Sequence, residues 1–151
     1  MLVLIATTTY NSCNLSNKKL DFVQLYHDEH YIPQSDSIKK AVGYNYIVEN
    51  YKDNNYSEKQ IDSFAFELAK GKVNNYASFA IDFYKASKYT NLKNLKANPR
   101  DLDRHSNTED LVYNYYWSQG AFLGRSKFKN GEIINPNGRD VTLSDPPPLK
   151  N

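Results

Sequence analysis

The sequence contains a single cysteine, which excludes an internal disulfide framework and a zinc module built on cysteine pairs. Long apolar runs are also absent, because the charge-free N-terminal stretch is far shorter than the roughly 20 residues of a membrane-spanning helix. No sign of charge dominates: 19 Lys and Arg stand against 17 Asp and Glu. A net charge of +2 does not by itself indicate binding to nucleic acid or to a membrane surface. The chain has 151 residues, the length of one ordinary domain.

Several catalytic and ligand-binding motifs are missing as well. The sequence has neither a Gly-x-Ser-x-Gly elbow nor a Walker-type glycine loop, so it gives no support to a serine hydrolase or a nucleotide-binding enzyme. Arginine is scarce, with four residues against 15 lysines, and arginine is the side chain best suited to recognising phosphate. We therefore expect no cofactor and no nucleic-acid partner, and the sequence favours a non-enzymatic protein.

The N-terminus changes character abruptly at the cysteine. Residues 1–12 carry no charged side chain, Cys13 follows at once, and the chain then becomes polar and basic. This pattern resembles the end of a bacterial lipoprotein signal peptide, a family in which the cysteine is acylated and becomes the mature N-terminus. The resemblance implies a leader over residues 1–12, lipid attachment at Cys13, a polar tether over residues 13–19 and a location in the bacterial cell envelope.

A second interpretation of the same residues remains open. Leu2 to Ile5 is also a good strand sequence, so residues 2–6 could form a buried strand and Cys13 would then be an ordinary thiol. This alternative favours a cytoplasmic protein.

Apolar residues recur at intervals of three and four through much of the chain, a spacing typical of amphipathic helices. The segment over residues 57–70 has the clearest start and stop signals of a helix. Ser57 to Gln60 matches a capping box, and Gly71 follows the last turn. The pattern predicts five helices, over residues 20–31, 36–51, 57–70, 73–84 and 107–119.

The C-terminal part has a different pattern. Asn130-Gly131 and Asn137-Gly138 are strong signals for two-residue hairpin turns, and they separate three short segments. They predict a three-stranded antiparallel meander over residues 121–143, followed by a proline-rich disordered tail over residues 145–151. The sequence as a whole predicts a single, mainly α domain over residues 20–144 with a small C-terminal β-meander, an α+β protein.

The histidines offer one candidate site. On a helix, His27 and His30 would share a face with Glu29 nearby, and His105 could add a third metal ligand from an irregular segment. This cluster would suit a small metal-assisted hydrolase, which is the alternative function. The competing interpretation is a solvated helix end.

The aromatic residues offer another candidate site, since the chain has 13 Tyr. Tyr113, Tyr116 and Trp117 precede Arg125 and predict a surface for binding another protein or an envelope component. The competing interpretation places the aromatics partly in the core. We therefore expect a non-enzymatic envelope protein that touches the membrane only through a lipid anchor; a cytoplasmic accessory protein of a phage or mobile element is a further alternative.

Overall fold

The computed structural model describes residues 18–31, 40–97 and 109–135. Cys13, His105, the predicted leader, the second Asn-Gly turn and the proline-rich tail lie outside the described residues. The described elements are β1 (Asp21–Tyr31), β2 (Lys40–Glu49), α1 (Asn55–Ala69), β3 (Tyr76–Lys85), α2 (Leu92–Ala97), β4 (Leu111–Ser118), β5 (Ala121–Lys129) and β6 (Glu132–Ile133), with a 3₁₀ turn at Val73–Asn75. The prediction of a mainly α protein with five helices is wrong, because most of the described residues form strands.

The strands lie in the sheet in the order in which they occur in the chain. β2 and β3 are parallel and are connected through α1, whereas the other neighbours are antiparallel. The buried residues of α1 pack on one face of the sheet, here called the helix face. On the opposite face, Leu95 of α2 packs against Ile47 of β2.

Four predicted helices are strands in the structure: the segments 20–31, 36–51, 73–84 and 107–119 contain β1, β2, β3 and β4 respectively. The reason is visible in β3, where Phe79, Ile81 and Phe83 alternate and are buried on the helix face. Ala80, within this run, and Tyr84, directly after it, supply apolar groups on the opposite face. A strand that is apolar on both faces has apolar residues three and four positions apart, and this spacing is the same as that of the apolar stripe of a helix.

The third predicted helix is confirmed as α1, although its first turn differs from the predicted capping box. Asn54 is the N-cap, and its side chain accepts a hydrogen bond from the backbone N–H of Ser57 at 2.9 Å. The Gln60 side chain instead accepts from the backbone N–H of Leu20 at 3.0 Å. Gly71 follows the helix with a φ of 75°, as the stop signal predicts.

The first hairpin of the predicted meander is also present. Asn130 and Gly131 have φ values of 52° and 82°, and they connect β5 to the short β6. Asn135 covers part of the outer edge of β5, because its side chain accepts from the backbone N–H of Lys127 and donates to the carbonyl of Arg125. These bonds imitate a neighbouring strand and occupy an otherwise open edge.

Candidate functional site

A network of ion pairs is buried between α1 and the β4–β5 part of the sheet. Arg125 on β5 places Nη1 at 2.9 and 3.1 Å from the two carboxylate oxygens of Asp62. The same nitrogen lies 2.9 Å from Oε1 of Glu58, one helical turn earlier on α1. Lys127 continues the network towards the surface, with Nζ 3.4 Å from Oε2 of Glu58 and 3.0 Å from Oδ1 of Asp53. We call Asp53, Glu58, Asp62, Arg125 and Lys127 the ion-pair network.

Two tyrosines of β4 complete the contacts of this network. The Tyr115 hydroxyl donates to Oδ1 of Asp62 at 2.5 Å, and the Tyr113 hydroxyl donates to Oε2 of Glu58 at 3.1 Å. The Arg125 guanidinium also lies over the Tyr113 ring, 5.4 Å from its centroid. Each buried charge of the network therefore has an oppositely charged partner inside the protein, as buried charges must.

The environment changes the acidity of these groups in different directions. Burial raises the pKa of Asp62 above its ordinary value, against the opposing effects of Tyr115 and Arg125. Burial also works against ionisation of Glu58, but Arg125, Tyr113 and Lys127 together hold the pKa of Glu58 below its usual value. Burial and the neighbouring Asp62 raise the pKa of Tyr115, so its hydroxyl keeps its proton and donates the hydrogen bond to Asp62.

A second polar cluster lies near the C-terminal end of α1, where β1 ends and where β2 and β3 begin. The carboxylate of Glu29 accepts from the Tyr76 hydroxyl at 3.0 Å and from Nζ of Lys40 at 3.2 Å. These bonds lower the pKa of Glu29, with Lys40 as the largest cause. Burial, followed by the bond to Glu29, raises the pKa of Tyr76 to about 12. One carboxylate thus connects the ends of three strands.

Two contacts between an ammonium group and an aromatic ring lie in the same part of the sheet. Nζ of Lys40 lies 5.2 Å from the ring centroid of Tyr31, and Nζ of Lys72 lies 5.1 Å from that of Tyr44. Tyr31 is the most exposed large hydrophobic side chain of the described residues, at 65%. We call this region the Lys–Tyr surface; its members are His27, Glu29, Tyr31, Lys40, Tyr44, Lys72 and Tyr76.

The structure separates the predicted metal ligands. Because β1 is a strand, His27 and His30 point to opposite faces of the sheet: His27 stacks on Tyr44, whereas His30 is paired with Ala41. The shared face that the hydrolase prediction required depended on a helix that is not present. No group of three His, Cys, Asp or Glu side chains is arranged to hold a metal ion within residues 18–31, 40–97 and 109–135.

The predicted tyrosine surface is also divided between two faces. Tyr113, Trp117 and Arg125 are buried on the helix face. Tyr116 is half-buried on the opposite face, where its hydroxyl accepts from the Ser78 hydroxyl at 3.0 Å. These four residues do not form one exposed surface.

Sequence reasoning overlooked the acidic members of the ion-pair network. Glu58 and Asp62 are four residues apart, so they share one side of α1, immediately beside the buried Ile61. Arg125 and Lys127 are two residues apart and therefore share one face of a strand. These two spacings are visible in the sequence. They indicate an ion-pair network only when residues 121–129 and 55–69 are known to pack together.

Comparisons with protein families, with curated proteins and with solved structures find no match, so the interpretation depends on the geometry of this chain. Within the described residues, neither helix is long and apolar enough to cross a membrane.

Removing one partner of the buried Arg125–Asp62 pair should destabilise the protein strongly. We expect Asp62→Leu and Arg125→Met each to lower the free energy of unfolding by about 3–5 kcal/mol, because each takes from a buried charge the partner that it contacts through both carboxylate oxygens of Asp62. The double variant should lose less than either single variant. Urea unfolding at pH 7 measures these differences, with Glu67→Gln on the exposed side of α1 as the control. Single variants within about 1 kcal/mol of the wild type would contradict a stabilising network.

The pH dependence of stability should show the contribution of Glu58. Its pKa is lower in the folded protein than the ordinary 4.5, so ionised Glu58 stabilises the fold above that pH and the stabilisation is lost as the pH falls through the folded value. We expect Glu58→Gln to cost about 1–2 kcal/mol at pH 7. The difference from the wild type should shrink below pH 4.5. Asp62 is present in both proteins, and the Glu58 charge is the weakest of the named causes that act on the pKa of Asp62, so most of its opposite effect cancels. A difference independent of pH would refute this role.

Proposed function

We propose that this protein is a non-enzymatic binding domain of the bacterial cell envelope that recognises another envelope protein through the Lys–Tyr surface. The exposure of Tyr31 is the observation that carries the proposal. Its ring stands at the end of the outermost strand, with 65% of the side chain in contact with solvent. A large aromatic side chain in that position offers contact area at low entropic cost.

The surroundings of Tyr31 support recognition of an acidic partner. Nζ of Lys40 lies close to the ring, and Nζ of Lys72 lies over the buried ring of Tyr44, four positions further along β2. Lys40 is bonded to Glu29, whereas the described residues provide no ion pair for Lys72. A partner carboxylate could therefore meet Lys72 while an apolar group covers Tyr31. This arrangement, an aromatic centre with charged groups around it, is typical of protein interfaces.

The framework beneath this surface favours binding without a large rearrangement. Tyr76 and Lys40 hold both oxygens of Glu29, so the ends of β1, β2 and β3 are fixed relative to one another. A surface that is already ordered loses less conformational entropy when a partner binds.

Tyr31→Ala should weaken partner binding substantially, whereas Tyr89→Ala should not. We expect a dissociation constant about tenfold to thirtyfold higher for Tyr31→Ala, as for a central aromatic residue of an interface. Tyr89 is a matched control because it is 54% exposed and Lys88 lies over its ring at 4.6 Å. The partner is first identified by a photo-crosslinking amino acid at position 31 in cells of the source organism.

The same crosslinker at position 89 shows whether the adducts are specific. The proposal requires a protein adduct at position 31 that position 89 does not give. Identical adducts at both positions, or equal affinities of Tyr31→Ala and Tyr89→Ala, would overturn it.

Location in the envelope rests on the likeness of residues 1–13 to a lipoprotein signal. We expect the mature protein to begin at Cys13 and to carry more than one acyl chain, since a single chain anchors only weakly. Mass spectrometry of the protein purified from its own cells measures this directly, and a Cys13→Ser variant should leave the membrane fraction. An intact Met1 with an unmodified Cys13 thiol would remove the anchor and leave a soluble binding domain.

A further inference from the structure

A cleft lies at the end of the molecule opposite to the Lys–Tyr surface. It is formed by the loop between β2 and α1 on one side and by the adjacent ends of β3, β4 and β5 on the other. Its volume is about 280 Å³, slightly below the range of pockets for drug-sized ligands. We call it the end cleft; its lining residues are Tyr51, Asp53, Lys85, Glu109, Leu111, Val112, Phe128, Lys129 and Asn130.

The end cleft combines an apolar lining with charges of both signs. Leu111, Val112 and Phe128 supply the apolar part, together with the half-buried ring of Tyr51. A ligand that placed an aliphatic side chain against this lining would remove that side chain from water, which is favourable. The cleft is therefore suited to a small ligand that has an apolar body.

The charges that line the end cleft alternate along the sheet. Lys85 ends β3, Glu109 precedes β4 and Lys129 ends β5, so strand order places an acid between two bases. Asp53 adds a second acid from the β2–α1 loop. Two acids and two bases make the lining neutral overall, which matches a ligand that carries one charge of each sign.

Two of these charges are held in place by the protein. Asp53 belongs to the ion-pair network through Lys127, yet half of its side chain remains exposed. Nζ of Lys85 lies 3.8 Å from Oδ1 of Asp110, and 37% of its side chain is exposed. The other oxygen of Asp110 accepts from the hydroxyls of Ser87 and Thr90, which fixes this carboxylate. The charges of the cleft are thus positioned before any ligand arrives.

We propose that the end cleft binds a small zwitterion with an apolar body, of the class of an aliphatic α-amino acid. The ammonium group would lie between Asp53 and Glu109, beside the Tyr51 ring, and aromatic rings attract cations. The carboxylate would lie beside Lys129, and the side chain on Phe128. The cleft is distinct from the Lys–Tyr surface, so this inference does not depend on the proposed function.

The experiment is an NMR titration of the full chain with L-leucine. We expect saturable shifts of the signals of Tyr51 and Phe128, with a dissociation constant on the order of 1 mM for so small a ligand. Leucine amide lacks the carboxylate and N-acetyl-leucine lacks the ammonium group. Each should bind about tenfold more weakly, because each loses a charge-assisted hydrogen bond. Leucyl-leucine identifies the source of the zwitterion: tighter binding of this dipeptide assigns the cleft to peptide ends, and weaker binding to the free amino acid.

Two matched variants test the position of the ligand. Glu109→Gln removes an exposed carboxylate of the cleft and should weaken leucine binding about fivefold to tenfold. Glu132→Gln removes an exposed carboxylate of β6 that lies outside the cleft, and it should have no effect. Both residues are exposed, so neither change should unfold the protein. The proposal is overturned by the absence of saturable shifts at about 50 mM leucine, by equal affinities for leucine and leucine amide, or by equal affinities of the two variants.

Discussion

The buried contact of Arg125 with Asp62 and Glu58 is the interaction on which the rest of the structure depends. This contact joins α1 to β5, and the hydrogen bond from the Tyr115 hydroxyl to Asp62 joins α1 to β4. Removing these charges from water is costly, so the arrangement is stable only while each charge keeps its partners. This requirement restricts where α1 can lie on the sheet more closely than apolar packing alone, because apolar contacts are not directional.

The position of α1 in turn organises both ends of the molecule. The loop before α1 supplies Asp53 to the end cleft. The short connection after α1 supplies Lys72 to the Lys–Tyr surface. A helix of 15 residues separates these regions by about 22 Å. They also differ in chemistry, since one presents an exposed aromatic side chain with cations and the other a small cleft of mixed charge. The fold thus places the two proposed binding regions at opposite ends of α1.

The accuracy of the sequence-based predictions depended on how local each signal was. α1 was predictable because its buried stripe, with Ile61 and Ala65, and its stop at Gly71 lie within one segment. The turn at Asn130-Gly131 was predictable for the same reason. The strands were not, since β2 and β3 are covered on both faces and their apolar residues satisfy a helical spacing as well as a strand spacing.

The candidate sites likewise combine features that neighbouring residues predict with contacts that only tertiary packing creates. The sequence by itself determined one helix, one hairpin turn and the absence of the best-known catalytic motifs, because each of these is written in neighbouring residues. Tertiary structure alone decided the rest: strand pairing separated His27 from His30, and packing brought Glu58 and Asp62 to Arg125 across more than 60 positions of the chain. The physical reason is that a side chain's face follows from the secondary structure, whereas its partners follow from which elements pack together.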